Sequence, residues 1–196
     1  MSEMSERERM EAGLWYDANF NPEVHKLRII ADNLCYELNT LTPPRDKERR
    51  DRILRQLIPD LGEDYEILSP LYVDYGPYCH IGSHVFINHN AYLMDGGGIT
   101  IGDYCFIGPN FGAYTAAHPL LPEQRNTGLE KASPIVVGAN CWLGANVTIM
   151  PGVTIGEGCV IGANSLVTRD IPPHSLAMGQ PARVVRAITE KDRISR

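Results

Sequence analysis

VGANCWLGANVTIMPGVTIGEGCVIGANSLV, residues 137–167, decides the fold. Every sixth residue is aliphatic: Val137, Leu143, Ile149, Ile155, Ile161 and Val167. Gly138, Gly144, Gly156 and Gly162 directly follow four of them, and only Met150 breaks that pattern. Four residues after each aliphatic stands a small or β-branched residue: Cys141, Val147, Val153, Cys159, Ser165. A six-residue period fits neither a helix at 3.6 nor a plain two-residue alternation. It fits a short strand followed by a sharp turn, repeated. The aliphatic and small residues fill a prism and the glycines stand where the backbone turns. Three hexads, 18 residues, make one coil, and coils stack at roughly 4.8 Å.

The same beat occurs earlier. Ile81, Ile87 and Leu93 carry it with Val85 and Ala91 at the small positions, and Ile101 and Ile107 carry it with Cys105. A stretch without periodicity, 111–134, separates these from the long run, and a long loop that interrupts a repeat is a place to look for function. Cys79, Cys105, Cys141 and Cys159 each precede a repeat aliphatic by two residues. That is an inward position, where a free thiol behaves as a small hydrophobe. No C-x-x-C pair is present, which argues against a disulfide framework or a zinc site.

The first 62 residues read differently. Ser5 and Glu8 form a capping-box pattern, with Met10, Leu14 and Trp15 as the apolar side of a short helix. Asn21-Pro22 opens a second helix, with Val24, Leu27, Ile30, Leu34, Leu38 and Leu41 as one stripe. Thr42-Pro43-Pro44 stops it, and a third helix carries Ile53, Leu54, Leu57 and Leu61. This helical segment is expected to cover the unpaired strand edges of the first coil. The expected organisation is a helical segment 1–62, a β-helix 63–187 with an inserted loop 111–134, and a tail 188–196.

A formal net charge of −6 over 196 residues gives no reason to expect nucleic acid. No apolar run approaches the ~18 residues of a membrane span, and the charged start has no signal-peptide character. A soluble cytoplasmic protein is the expectation. Coils with apolar outer residues such as Trp142 and Leu166 are expected to pack together, and a triangular cross-section suits three copies.

A solid prism has no interior pocket, so ligands must bind on its faces, under loops or between subunits. His118, in the interrupting loop, is the best candidate for chemistry, because an imidazole can accept a proton at neutral pH. Position alone leaves it equally readable as a loop histidine without a role. His84 and His89 lie five apart on adjacent hexads, and with His118 they make the histidine set that an interfacial zinc site needs; as outward surface imidazoles they need no metal. Asn88 is either an amide that orients a hydroxyl or a turn residue. Asp17, Asp74 and Asp95 are isolated acids.

The motifs together resemble one family. Gly13-Leu14-Trp15-Tyr16-Asp17, His80-Ile81-Gly82, the His118-Pro119 loop, Cys141-Trp142-Leu143-Gly144, Pro151-Gly152-Val153-Thr154-Ile155-Gly156 and Gly179-Gln180-Pro181-Ala182-Arg183 are similar to those of the maltose/galactoside O-acetyltransferases. These belong to the hexapeptide-repeat acyltransferases. The resemblance implies a left-handed parallel β-helix, an exception to the usual crossover hand, and a homotrimer with sites between subunits. It implies acetyl transfer from acetyl-CoA, as co-substrate, to a hydroxyl of a sugar such as maltose, glucose or a galactoside, with no metal and no tightly bound cofactor.

By the same resemblance His118 is the general base, Asn88 the amide beside it, and Asp17, Asp74, Asp95 and Glu130 lie on the acceptor side. Trp142 and Ala163 meet the pantetheine arm, and the Ala145 N–H is the oxyanion donor. Thr168, Arg169, Arg183 and Arg186 meet the nucleotide end. The chain departs from the family on the acceptor side. Asp95-Gly96-Gly97-Gly98 replaces two successive acids, Glu130 stands where some members have Met, and some members have Ser at Asp74. Two other readings are a zinc enzyme resembling the γ-carbonic anhydrases and a non-catalytic β-helix scaffold.

Overall fold

The structure, a computed structural model, describes residues 4–195. Short parallel strands stack into three flat faces. The first face runs through Asp60–Leu61, Cys79–Ile81, Ile99–Ile101, Ile135–Val137 and Thr154–Ile155. The second runs from Glu66–Ile67 through Phe86–Ile87, Phe106–Ile107, Trp142–Leu143 and Val160–Ile161 to Ser175–Gly179. The third runs from Leu71–Val73 through Ala91–Met94, Gly112–Tyr114 and Thr148–Ile149 to Leu166–Val167. All the repeat aliphatics and all the small residues between them point inward and are buried. The fold is mainly β, a parallel β-solenoid of hexapeptide repeats carrying helices at its N-terminal end.

Coil length departs from the expected 18 residues. The upper step, Val137 to Ile155, is 18, but Asp60 pairs with His80 and Ile81 with Ile101, steps of 20. The extra two residues fall at the corner after the third face, in 74–76 and 95–98. The inserted loop leaves from that same corner. It begins later than expected: Phe111 is buried, and Gly112–Tyr114 pairs with strands on both sides. The insertion is also structured. Ala116–Ala117 pairs antiparallel with Leu129–Ala132 around a one-turn helix, Pro122–Arg125.

The glycines play a different part from the one expected. Gly138, Gly144, Gly156 and Gly162 do not have left-handed backbones; that conformation falls two residues later, at Asn140, Asn146, Gly158 and Asn164. Glycine is needed because coils approach closely: a Cβ on Gly138 would meet Glu157 N at 2.6 Å. At one corner the left-handed asparagines form a ladder. Asn90 donates to Asn110, Asn110 to Asn146 and Asn146 to Asn164, at 2.8, 2.8 and 2.9 Å.

Helix α1 (Glu6–Glu11) packs beside α2 (Pro22–Tyr36, continued by a π-helical turn Glu37–Leu41), with its Met10 in a separate buried cluster with Tyr16, Val24 and Tyr75, while α2 and α3 (Lys47–Leu57) close the lower end. The Ser5–Glu8 capping box and the Asn21–Pro22 start are as expected. Ala31, Cys35, Leu38, Ile53, Leu54 and Leu57 share one buried core with the coil interior. Each face of the first coil also receives a polar side chain on its open edge. Arg55 donates to Leu61 O, Arg50 to Ile67 O, and the Asn39 amide both donates to Leu71 O and accepts from Leu71 N.

Some expectations fail here. Leu14 and Trp15 lie beyond α1 and are exposed, and Ile30 and Leu41 face away from the buried stripe. Leu61 is not helical; it pairs with Ile81 as a strand, so the first coil opens at Asp60. Ser175–Gly179 and Ala182–Ala187 form an antiparallel hairpin that closes the upper end.

Candidate active site

The hairpin carrying His118 is braced from the N-terminal segment. Tyr16–Asp17 adds a third strand, with Tyr16 opposite Glu130 and Asp17 opposite Leu129. His118 follows Ala116–Ala117, and its Nδ1 lies 2.9 Å from the carbonyl of Leu129. A carbonyl accepts only, so Nδ1 carries the proton and Nε2 presents its lone pair. Nε2 faces the Glu130 carboxylate at 3.7 Å. The ring is partly exposed in a hollow of about 390 Å³ with Trp15, Leu120, Leu121, Gln124 and Leu129.

A second hollow, of about 520 Å³, lies on the second face. It brings together four of the expected residues, Asn88, Trp142, Ala145 and Ala163, with Phe86 and Phe106. The Asn88 side-chain oxygen accepts from its neighbour His89 N at 2.7 Å, which leaves the amide NH₂ as a donor. Among the described residues the N–H groups of Ala145 and Ala163 carry no intramolecular hydrogen bond. Asn88 and His118, expected side by side, line different hollows of the single chain.

Thr168, Arg169, Arg183 and Arg186 are exposed near the upper end. Arg183 donates to its neighbour Ala182 O, while Arg186 is held by Asp192 at 2.8 Å, which raises its pKa.

The acids have separate fates. Asp17 is engaged locally, accepting from Asn19 N and Phe20 N. Asp74 is half-buried, and its carboxyl, raised by that burial, accepts from the Tyr92 hydroxyl at 2.6 Å. Asp95, expected on the acceptor side, presents no exposed carboxylate. It is fully buried, and its oxygens take the N–H groups of Asp74, Tyr75 and Gly76 at 3.1, 2.8 and 2.7 Å. Burial pushes its pKa up to about 6.

The zinc reading needed three histidines together. His84 occupies a left-handed corner and stacks on Tyr104, and His89 pairs with Ser69 O, while His118 is in the hairpin. Among the described residues no three His, Cys, Asp or Glu side chains gather as a metal-binding group.

Sequence reading missed Tyr16, Tyr75 and Arg28. Tyr16 donates to Glu130, and Arg28 donates twice to the Tyr75 hydroxyl at 3.2 and 3.1 Å. The signal for Tyr16 was its place in the quoted Gly13–Asp17 motif.

Comparison with known proteins agrees with this architecture. The maltose acetyltransferase hexapeptide capping motif matches residues 9–62, and the six-repeat bacterial transferase hexapeptide matches 134–169. A putative acetyltransferase of Staphylococcus aureus strain MRSA252 is 52% identical over 94% of this chain and 92% of its own. The crystal structure of a maltose O-acetyltransferase from Clostridium difficile 630 is 40% identical, with a TM-score of 0.92 over 96% of this chain and 100% of that one. A galactoside acetyltransferase in complex with coenzyme A is 37% identical, with a TM-score of 0.92 over 97% of this chain and 94% of its own. The capping helices, the hexapeptide coils and these full-length likenesses together place the chain in the maltose/galactoside O-acetyltransferase family, as an acetyltransferase of that type.

Proposed function

We propose that the enzyme transfers acetyl from acetyl-CoA to a hydroxyl of a small sugar, with His118 as general base. The observation that carries this is the fixed tautomer: the Leu129 carbonyl holds the proton on Nδ1, so Nε2, at the partly exposed edge of the hairpin, keeps its lone pair as a base. Nε2 takes the acceptor's hydroxyl proton. The oxygen attacks the thioester carbonyl carbon, the C–S bond breaks, and the thiolate leaves with the proton from the ring. The negative charge on the carbonyl oxygen meets the free Ala145 N–H. No acyl-enzyme forms.

Donor binding to the second-face hollow is supported by the 37% identical relative, whose structure is a complex with coenzyme A. A homotrimer explains why one chain keeps Asn88 and His118 in separate hollows: a neighbour would place its hairpin against this face. Trp142 and Phe106, each 58% exposed, would then be covered. No described helix is long and apolar enough to cross a membrane. Five free cysteines, all buried, fit a reducing cytoplasm.

The test is free-thiol release from acetyl-CoA against glucosides, galactosides, maltose and unrelated hydroxyl compounds, with and without chelator. Release with one acceptor class, unchanged by chelator and at least about 100-fold lower in His118→Ala with CoA affinity intact, is expected. Unchanged turnover in that variant removes His118 from the chemistry.

A further inference from the structure

The inserted hairpin leaves the coils at Thr115, beside the corner Asp95-Gly96-Gly97-Gly98. Thr115 is fully buried, and every polar group it has is engaged. Its hydroxyl donates to Met94 O at 2.5 Å and accepts from Gly97 N at 3.0 Å. Its backbone N–H donates to the same Met94 O at 3.2 Å, and its carbonyl accepts from Ser133 N at 2.9 Å. Ser133 belongs to the returning leg, and two residues on Ile135 N donates to Gly98 O at 3.0 Å. Both legs of the hairpin are thus tied to adjacent glycines of one corner, the outgoing leg through a side chain and the returning leg through backbone.

Gly97 shows how close the legs come. A Cβ there would meet Ser133 N at 2.7 Å, so the returning leg rests on bare backbone. Asp95 holds the same corner to the coil below through the N–H groups of Tyr75 and Gly76. The glycine run is therefore a fixed seat for the hairpin, and more than the loss of a carboxylate from the acceptor side. His118 stands three residues beyond Thr115. At about 3.3 Å per residue, that length of extended chain is a lever of roughly 10 Å. A swing of about 10° at the root would carry the imidazole by roughly 1.7 Å, and a misplacement of about 1 Å can cost on the order of 100-fold in rate. The strand Tyr16–Asp17 braces the returning leg at Leu129 and Glu130. The outgoing leg, which carries His118, has Thr115 at its root.

We propose that Thr115 is a positioning residue for His118: its buried hydroxyl, bridging Gly97 N–H and Met94 O, locks the root of the hairpin to the glycine corner and so fixes where the imidazole stands. This rests on His118 being the base. Valine has nearly the same shape, but it leaves the Gly97 N–H without its partner and frees the root to turn. Serine keeps the bridge. A control lies at the far end of the solenoid, where Ser165 is a second buried hydroxyl, donating to Gly162 O at 2.6 Å and accepting from Gly179 N at 3.1 Å.

Steady-state thiol release from acetyl-CoA is measured for wild type, Thr115→Val, Thr115→Ser, Ser165→Ala, His118→Ala and the Val/Ala double variant. Thr115→Ala, smaller and equally without a hydroxyl, makes the same comparison where the valine does not fold. Thr115→Val is expected to lower kcat at least about tenfold with the KM for acetyl-CoA within about twofold, and Thr115→Ser to stay within about threefold of wild type. Ser165→Ala is expected to keep kcat within about twofold. In the His118→Ala background the valine change is expected to do nothing further. Intact kcat in Thr115→Val, a serine variant as slow as the valine one, or an equal loss in Ser165→Ala would overturn the proposal. If wild type releases no thiol with any acceptor, or His118→Ala turns over normally, the proposed function fails on its own. Hydrogen exchange still decides the anchor: hairpin amides of Ala117 and Leu129–Ala132 exchanging at least about tenfold faster in Thr115→Val, with those of Val160–Val167 unchanged, support it, and identical exchange overturns it.

Discussion

Asp95 accepts a 2.8 Å hydrogen bond from the backbone N–H of Tyr75, twenty residues earlier and one coil below. Its two oxygens together satisfy three successive amides of the widened corner. The Asp74 N–H also reaches Leu93 O at 3.3 Å, so Asp95→Ala leaves the Tyr75 and Gly76 N–H groups buried without partners, at about 1–3 kcal/mol each before relaxation. We expect a loss of at least about 2 kcal/mol in urea unfolding. A loss under about 1 kcal/mol would mean that the corner holds its shape without the carboxylate.

The same carboxylate gives a pH signature. Burial raises it from 3.8 in the unfolded chain to about 6, with the Asp74 carboxyl and the Cys79 thiol facing it. A raised folded value means that the stabilising contribution is complete below about pH 4 and lost as pH rises through about 6. Relative to Asp95→Asn, wild type should therefore lose on the order of 2–3 kcal/mol between pH 4 and pH 7. Parallel stability profiles for the two proteins would remove Asp95 as the source.

Close stacking and left-handed backbone separate at the coil corners. Gly138→Ala would place a Cβ 2.6 Å from Glu157 N, so about 1–3 kcal/mol of overpacking strain is expected. Asn140→Gly, at φ +59, should change stability by less than about 1 kcal/mol. Denaturant midpoints of the two variants check the order; the reverse order would restore the turn to the glycines.

Asn39 pairs with both backbone groups of Leu71, in place of the strand that the first coil lacks. Asn39→Ala exposes that edge. A loss of about 1–3 kcal/mol and concentration-dependent association in light scattering are expected. A fully stable, non-associating variant would show that the helices alone protect the edge.

On the donor side, among the described residues no acid pairs with Arg183, while Arg186 is engaged by Asp192. Arg183→Ala should weaken CoA about three- to tenfold and leave the acceptor KM unchanged, with a smaller effect from Arg186→Ala. Calorimetric titration with CoA measures both. Equal weakening of CoA and acceptor by Arg183→Ala would make the terminal hairpin purely structural.

The solenoid was legible because its rule is local: Val137 to Val167 repeat one environment every six residues, so the interior is written in sequence order. The widened corners were not, since two residues added at 74–76 and 95–98 leave Ile81, Ile87 and Leu93 in step and disturb only the step to Ile101. Leu61 continues a helical spacing from Leu57, and only pairing with Ile81 makes it a strand. His118 stood out as the histidine of the interrupted repeat. Its partners did not: Glu130 is reached through a two-residue strand at Tyr16, too short to leave any periodicity. Asp95 looked like an available acid because nothing in an isolated Asp tells which backbone amides will surround it.

The asparagine ladder makes each coil a template for the next, as identical stacked amides do in fibrils. Asn164, its last rung, has its backbone carbonyl taken by the Gln180 side chain from the turn of the terminal hairpin. The stack is therefore a one-dimensional crystal of fixed length: helices prohibit growth below, an antiparallel hairpin prohibits it above, and the chain carries both terminators in its own sequence.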